Sequence, residues 1–347
     1  MKNLLLGLVC AATLGAFVHA QAPLSPEVER HIEAARTAAG PELSGLFDAV
    51  CTTARQVIAQ AAASPRAAGA GRGDGARGGG PAGTAGGSGR LGREIWHAEP
   101  VRVFDNLYFL GQTEFSVWAI TTSQGIILLD AIFDYSVEDE VVGGMKKLGL
   151  DPTQIKYVVV SHGHLDHAGG AKFLQEKYGA RLLMSAADYD LLDRDNPAWK
   201  PKRDMVVTDG QQLTLGDTTL TFYITPGHTE GTVSTIFPVR DGNQRHVAAE
   251  WGGTLFNFGP IRPRIQAYAA SAERFKQLTA KAGADVILSN HTVYDGSKTK
   301  LPAVLARKSG EPNPYVVGPQ MVQRFLTTVG ECAQAALAGL PERPSAN

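Results

Sequence analysis

The sequence predicts a mixed α and β protein preceded by a helical extension. Three observations predict it. Strand-type segments come in runs from about residue 96 onward, with amphipathic helices set among them, the order of a layered α and β domain rather than an all-β sandwich. Residues 25–63 repeat apolar side chains at helical spacing. Between the two lies a Gly-rich stretch of a different texture. The 347 residues can bury a sizeable core. The 33 Lys+Arg nearly balance 34 Asp+Glu, so no strong field recruits nucleic acid or an anionic membrane.

The chain starts with Lys2, the apolar run Leu4-Leu5-Leu6-Gly7-Leu8-Val9-Cys10-Ala11-Ala12, and small residues up to Ala20. That is the pattern of a secretory signal. His19 and Gln21 end the run short of the ~20 apolar residues that a membrane span needs. Residues 1–22 therefore read as a signal that is cut off. The mature protein reads as periplasmic or secreted, with no membrane anchor. Cys10 leaves with the signal. Cys51 and Cys332, the other two cysteines, then meet an oxidising compartment. They pair as one disulfide between the N-terminal helices and the closing helix, or stay as two buried thiols.

Ser25-Pro26-Glu27 is a helix start, with a cap, a proline in the first turn and an acid at the positive dipole end. Leu43, Leu46, Phe47, Val50, Ala54, Val57 and Ile58 continue the helical spacing, and Pro41 divides residues 23–63 into two helices. Half of residues 69–92 are Gly, which cannot bury enough surface to offset the entropy of ordering, so 64–93 reads as a mobile linker. Strands are expected at 101–110, 115–122, 126–129, 155–160, 180–184, 212–215, 219–225, 233–238, 246–249 and 286–288. Helices are expected at 137–148, 170–178, 186–194, 271–282 and 320–338. Residues 94–300 form the catalytic domain in this reading, and 301–347 a C-terminal extension with the closing helix.

The chemistry concentrates where the 155–160 strand runs into Ser161-His162-Gly163-His164-Leu165-Asp166-His167-Ala168-Gly169-Gly170. Four metal-capable side chains fall at the mouth of a strand, where alternate residues can point to one side. His162 and His164 can grip one ion, and Asp166 and His167 can face a second. Gly163, Gly169 and Gly170 permit the tight turn and close helix approach. His228 and His291 each follow a further expected strand and complete two coordination spheres. His31, His97 and His246 are assigned no role.

His162-x-His164-x-Asp166-His167, with Thr225-Pro226-Gly227-His228-Thr229-x-Gly231 and Ser289-Asn290-His291, resembles the metallo-β-lactamase superfamily. Leu128-Leu129-Asp130 and Asp209-Gly210 extend the resemblance. It implies a four-layer αββα sandwich with two zinc ions at one edge between the sheets. It implies His162, His164 and His228 as ligands of the first zinc, and Asp166, His167 and His291 as ligands of the second. Three protein ligands per ion leave positions open for water and substrate. A metal-bound hydroxide would attack a carbonyl, with Asp166 as the catalytic residue that orients it and Asp130 as support behind the ligands.

One departure bears on the subfamily. Most hydrolases of this superfamily carry a metal-bridging Asp between the positions of His228 and His291. Here the strand end reads Ala248-Ala249-Glu250-Trp251-Gly252-Gly253-Thr254, with no Asp. The chain therefore resembles most the third subclass of class B β-lactamases, with Glu250 as an alternative bridge. The implied protein is an exported, monomeric hydrolase of a β-lactam or a related cyclic amide or ester, taking a small-molecule substrate. The alternatives are a lactonase, thioesterase or other metallo-hydrolase without significant β-lactamase activity, and a zinc-binding protein without catalysis. Phe115 reads as an apolar wall over the zincs or as a strand-start core residue. Thr254, Arg262 and Arg264 read as partners of a substrate carboxylate, the two Arg equally as a solvated loop. Asn313-Pro314-Tyr315 reads as a pocket cap or as packing.

Because a long flexible loop costs stability only logarithmically with length, replacing residues 64–93 by a short Gly-Ser linker is expected to leave turnover within a few fold. Loss of zinc binding in that variant would refute the tether reading.

Overall fold

The structure is a computed structural model and describes residues 24–63 and 92–341. The signal reading of 1–22, with Cys10, and the linker reading of 64–91 lie outside the described residues. Two helices open the described chain, α1 (Pro26–Ala39) and α2 (Ser44–Ala63). The Ser25 side chain caps α1, accepting from the Val28 N–H at 3.3 Å. Arg93, read from composition as the last linker residue, instead opens a short helix, α3 (Arg93–Trp96).

The next strands are β1 (Val101–Phe104), β2 (Leu107–Gly111), β3 (Ser116–Thr122) and β4 (Gly125–Leu129). The single strand expected over 101–110 is thus a hairpin. Its turn is fixed from far away: Asn106 Nδ2 donates to Pro238 O at 3.2 Å, and Asn106 Oδ1 accepts from the Arg240 N–H at 2.9 Å. Local alternation carries no trace of such bonds. The helix expected over 137–148 begins as a π-helical segment, Val137–Val142, and continues as α4 (Gly143–Lys147). There follow β5 (Ile155–Val159), α5 (Leu165–Ala168), α6 (Ala171–Tyr178), β6 (Arg181–Ser185), α7 (Ala186–Asp195) and β7 (Met205–Val207). The second half holds β8 (Gln212–Leu215), β9 (Thr218–Ile224), β10 (Val233–Asp241), β11 (Gln244–Trp251), α8 (Arg262–Ala282), β12 (Val286–Ser289), α9 (Ser297–Ala306) and α10 (Pro319–Gly339). β7 and α9 were not expected, and α8 starts at Arg262 rather than at 271.

The strands form two sheets, one in the order β1-β2-β3-β4-β5-β6-β7 and one in the order β12-β11-β10-β9-β8. Side-chain alternation turns them into four layers. In β3 and β4, Trp118, Ile120, Ile127 and Leu129 face Phe222, Phe237 and Leu288 of the other sheet. Their alternate neighbours Val117, Ala119, Ile126 and Leu128 pack with Val141, Met145 and Leu174 of the helices outside. The outer face of the second sheet, with Ala249, Trp251 and Ile287, lies under α8, α10, α1 and α2. The result is the αββα sandwich. No helix among the described residues is long and apolar enough to cross a membrane.

The N-terminal helices are sealed onto α10. Arg324 donates from Nε to Ala38 O and from Nη2 to Ala39 O, both at 2.8 Å, which satisfies the end of α1. Cys51 of α2 is bonded to Cys332 of α10 across a sequence separation of 281 residues. Tyr315 is fully buried against Trp118, and Asn313 Nδ2 donates to Val103 O, so Asn313-Pro314-Tyr315 is packing and not a cap. Closing so long a loop restricts the unfolded chain. Changing Cys51 to Ser and Cys332 to Ala is expected to lower the unfolding free energy by about 2–5 kcal/mol, read from the denaturant midpoint. An unchanged midpoint would contradict that role.

Candidate metal centre

Two sheets bring their loops together at one edge. Past β5 the chain runs through Ser161 to His162 and His164, then into α5 with Asp166 and His167. His228 stands between β9 and β10, and His291 follows β12. Beside them β4 ends in Asp130, which takes φ +67° and is followed by Ile132 at φ +45°. A left-handed conformation is unfavourable for an Ile, so the surroundings must impose it. They do: Asp130 N–H donates to Val159 O, Ala131 N–H to His167 O and Gly170 N–H to Ile132 O, at 2.8, 2.8 and 2.9 Å. Gly170 is required at that contact, because a Cβ there would lie 2.3 Å from Ala131 O.

The six side chains singled out in the sequence converge. His228 Nε2 lies 3.0 Å from His162 Nε2 and 3.0 Å from His164 Nδ1. His167 Nε2 lies 3.2 Å from His291 Nε2 and 3.3 Å from Asp166 Oδ2, and His291 Nε2 is 3.8 Å from Asp166 Oδ2. Two sets could hold an ion, with ligand atoms all within 4.8 Å: His162, His164 and His228, and His162, Asp166 and His167. His162 is therefore common to both sets and sits between them.

Three of the five rings are oriented from behind. His162 Nδ1 donates to Gly252 O at 2.9 Å, and His228 Nδ1 donates to Leu255 O. His167 Nδ1 donates to Asp130 Oδ2 at 2.8 Å. Those bonds fix the tautomers and turn each Nε2 toward the site. Asp130 also accepts from Ser161 N–H at 2.7 Å and Ser161 Oγ at 2.9 Å. Burial, with neighbouring rings, holds His162 and His228 well below the imidazole range and His291 at about 3, so these rings are neutral. Burial opposes charge at His167 as well, but Asp166 and Asp130 outweigh it and lift His167 to about 10. Burial likewise opposes the Asp166 charge, and His167 overcomes it, keeping the carboxyl below its usual range.

The metallo-beta-lactamase superfamily profile matches residues 115–241. Among solved structures the fold is similar to BJP-1, a subclass B3 metallo-beta-lactamase of Bradyrhizobium japonicum. The TM-score is 0.59 and the identity 29%, over 67% of this chain and 91% of that one. The chain carries a metallo-beta-lactamase superfamily domain. Curated relatives include a hydroxyacylglutathione hydrolase of Acidiphilium cryptum, 34% identical over 106 residues, 30% of this chain. The N-acyl homoserine lactonase AttM of Agrobacterium fabrum is 33% identical over 104 residues, 26% of this chain. The chain spans 37% and 38% of those two relatives' lengths.

Within the metallo-beta-lactamase domain the structure adds a residue that the sequence reading missed. Asp188 of α7 is 1% exposed and ties the two ligand loops together. It accepts from Gly163 N–H and Thr229 Oγ1, both at 2.9 Å, and from Gly231 N–H at 3.2 Å. Burial pushes its carboxyl up to about 6, against the pull of those donors. Its sequence cue is the Ser185-x-x-Asp188 capping pattern, in which Ser185 Oγ accepts from the Asp188 N–H. The two Arg have other uses. Arg262 donates to Leu337 O and Leu340 O, and Arg264 donates to Gly227 O and His228 O under the His228 loop. Neither is solvated loop, and both brace backbone. Thr254 is 2% exposed, with its hydroxyl 3.4 Å from Ser289 Oγ. His31, His97 and His246 pair with Glu331, Glu140 and Asp285. Phe115 stands beside His291, ring centroids 5.0 Å apart.

Glu250 of β11 is buried, paired in register with Leu288 of β12, and belongs to neither donor set among the described residues. Burial and the nearby Asp130 push its carboxyl well above the usual range, so it is neutral. Asp188→Ala is expected to leave three buried donors unpaired, costing about 2–4 kcal/mol and weakening zinc binding about 10–100-fold. Denaturation and competition with a chromogenic chelator read the two effects. Unchanged zinc affinity would show that Asp188 is not a brace of the ligand loops.

Proposed function

We propose that this chain is an exported dizinc hydrolase that opens a β-lactam or a related cyclic amide or ester. The observation that carries the reading is the convergence of His162, His164, His228, Asp166, His167 and His291 on one edge between two sheets. Imidazole nitrogens with one carboxylate form a donor set suited to zinc. The neutral rings of His162, His228 and His291 fit that use, and ring nitrogens only 3.0–3.2 Å apart point to a shared centre. His162, His164 and His228 would hold the first ion, and Asp166, His167 and His291 the second. When bound, the ions would acidify a water and polarise the substrate carbonyl.

The chain's own residues then do the following. Asp166 accepts a hydrogen bond from the attacking water and so orients it. Asp130 holds His167 through Nδ1, and Asp188 holds the loops that carry His162, His164 and His228. Phe115, half-buried beside His291 and His167, excludes water from that flank.

A second reading, a lactonase or thioesterase, is favoured by the hydroxyacylglutathione hydrolase and N-acyl homoserine lactonase relatives. The strand end after β11 speaks for the first. A Cβ at Gly253 would lie 2.6 Å from His228 Cβ, so no side chain can stand there to bridge two metals. Neutral Glu250, facing Asp130, is a poor substitute.

Dipicolinate is expected to abolish turnover and zinc to restore it, with about two zincs per chain. Full turnover at roughly one zinc per ten chains or fewer would sink the reading. His228→Ala is expected to lose one zinc and at least ~100-fold in kcat. Glu250→Gln is expected to keep both zincs. Loss of one zinc in that variant, with hydrolysis of lactones or thioesters and none of nitrocefin, would transfer the assignment to the bridged hydrolases.

A further inference from the structure

A line of aromatic rings leaves the metal centre on the His291 side. Phe115 stands 5.0 Å from His291 and 6.4 Å from His167. Phe133 meets Phe115 edge-on at 4.9 Å and stacks on Tyr135 at 5.0 Å. Tyr135 meets Trp96 edge-on at 5.8 Å. The rings come from three separate segments, and the line does not close into a core, since Tyr135 remains 43% exposed. Leu165, between His164 and Asp166, is 37% exposed and lies with the Asp134 backbone around Gly169, so the ligand loop borders the same surface.

The far end of the line is held in place. Trp96 O accepts from the Thr113 N–H at 2.9 Å, beside a β-bridge between His97 and Gln112. Arg93 Nε and His97 Nδ1 each contact the Glu140 carboxylate at 2.6 Å. Glu140 is 3% exposed and sits in the π-helical segment, a local winding common at functional sites. A mere tether would need no buried carboxylate to grip it. The grip fixes Trp96 against Tyr135.

We propose that Trp96, Tyr135 and Phe133 form the acyl-recognition surface of the hydrolase, taking a neutral, aromatic-bearing acyl arm of the substrate whose carbonyl lies at the metal centre. This rests on the hydrolase reading above. Edge-on pairs leave ring faces open, and an added aromatic ring gains about threefold to tenfold per such contact beyond its burial. Asp134 borders the surface beside Tyr135 and repels an anionic arm. A short acetyl-type arm would not reach the rings beyond Phe115.

The zinc-loaded full chain is assayed with two matched pairs, benzylpenicillin against 6-aminopenicillanic acid and N-phenylacetyl against N-acetyl homoserine lactone. The phenylacetyl member is expected to have the higher kcat/KM by about tenfold in whichever pair is turned over. Tyr135→Ala and Trp96→Ala are each expected to cut that preference at least threefold, while Tyr135→Phe keeps it. Titration of tryptophan fluorescence with the phenylacetyl and acetyl ligands gives a readout without turnover. Turnover with no preference, or a preference that both Ala variants retain, overturns the surface and leaves the hydrolase reading standing. No turnover of either pair counts against the hydrolase reading. The fluorescence titration then judges the surface, and equal binding of the matched ligands overturns it.

Discussion

Asp130 is the constraint on which the site depends. It is fully buried, and its two oxygens accept from Ser161 N–H, Ser161 Oγ and His167 Nδ1. One carboxylate thereby joins the end of β4, the end of β5 and α5. Its strained left-handed backbone aims it at these partners, and the bonds around Ala131 and Gly170 hold that backbone. Charge follows from the same contact. Two acids near each other underground cannot both ionise cheaply. Asp130 takes all three donors, while burial and the nearby Asp130 push the Glu250 carboxyl well above its usual range. A neutral Glu250 can sit in register between β10 and β12 with its Oε1 unpartnered at lower cost than a carboxylate would.

The candidate ligand positions stand out in the sequence because metal chemistry demands short spacing. His162, His164, Asp166 and His167 all sit within one turn after a strand, and no bland pattern produces that cluster. His228 and His291 were legible as strand ends. Asp188, Arg262 and Arg264 were not, because what defines them is tertiary. Asp188 is one acid among Asp190, Asp193 and Asp195 along α7 until Gly163 and Thr229 arrive from elsewhere. Arg262 and Arg264 look like a charged loop until α8 is seen to begin at that point and to put both guanidiniums on backbone carbonyls. The strands β3, β4 and β12 were legible as short apolar runs, whereas the four layers were implied only by the resemblance to the metallo-β-lactamase superfamily. The hairpin at Asn106 was not, because its partners lie more than a hundred residues away.

The N-terminal helices reach the site without touching it. Gly45 of α2 lies against Val293, two residues past His291, and a Cβ there would meet Val293 O at 3.3 Å. Leu46, Phe47 and Val50 pack in one cluster with Phe256, Tyr268 and Tyr294. Tyr268 in turn donates its hydroxyl to Thr254 O, beside the loop that positions His228. The extension is thus a buttress for the outer wall of the rim, which gives the Cys51–Cys332 bond a mechanical meaning beyond chain entropy. Rim loops are where local opening is cheapest, and the helices raise that cost.

The deeper determinant is the core between the sheets. The first ligand cluster belongs to the seven-stranded sheet, whereas His228 and His291 belong to the five-stranded one. Their separation is therefore set by how the two sheets pack, not by loop sequence alone. Trp118 is where that packing meets the site. It is fully buried, sits on β3 among residues of both sheets, and donates from Nε1 to Ser289 O at 3.1 Å, two residues before His291. Close-packed interiors transmit displacement rather than absorb it. A loss of volume at Trp118 would let β12 shift, and His291 would move relative to His167 and Asp166 although no ligand had changed. The ligands can be read from a motif, but the distances that make them a site are written in the apolar layer beneath.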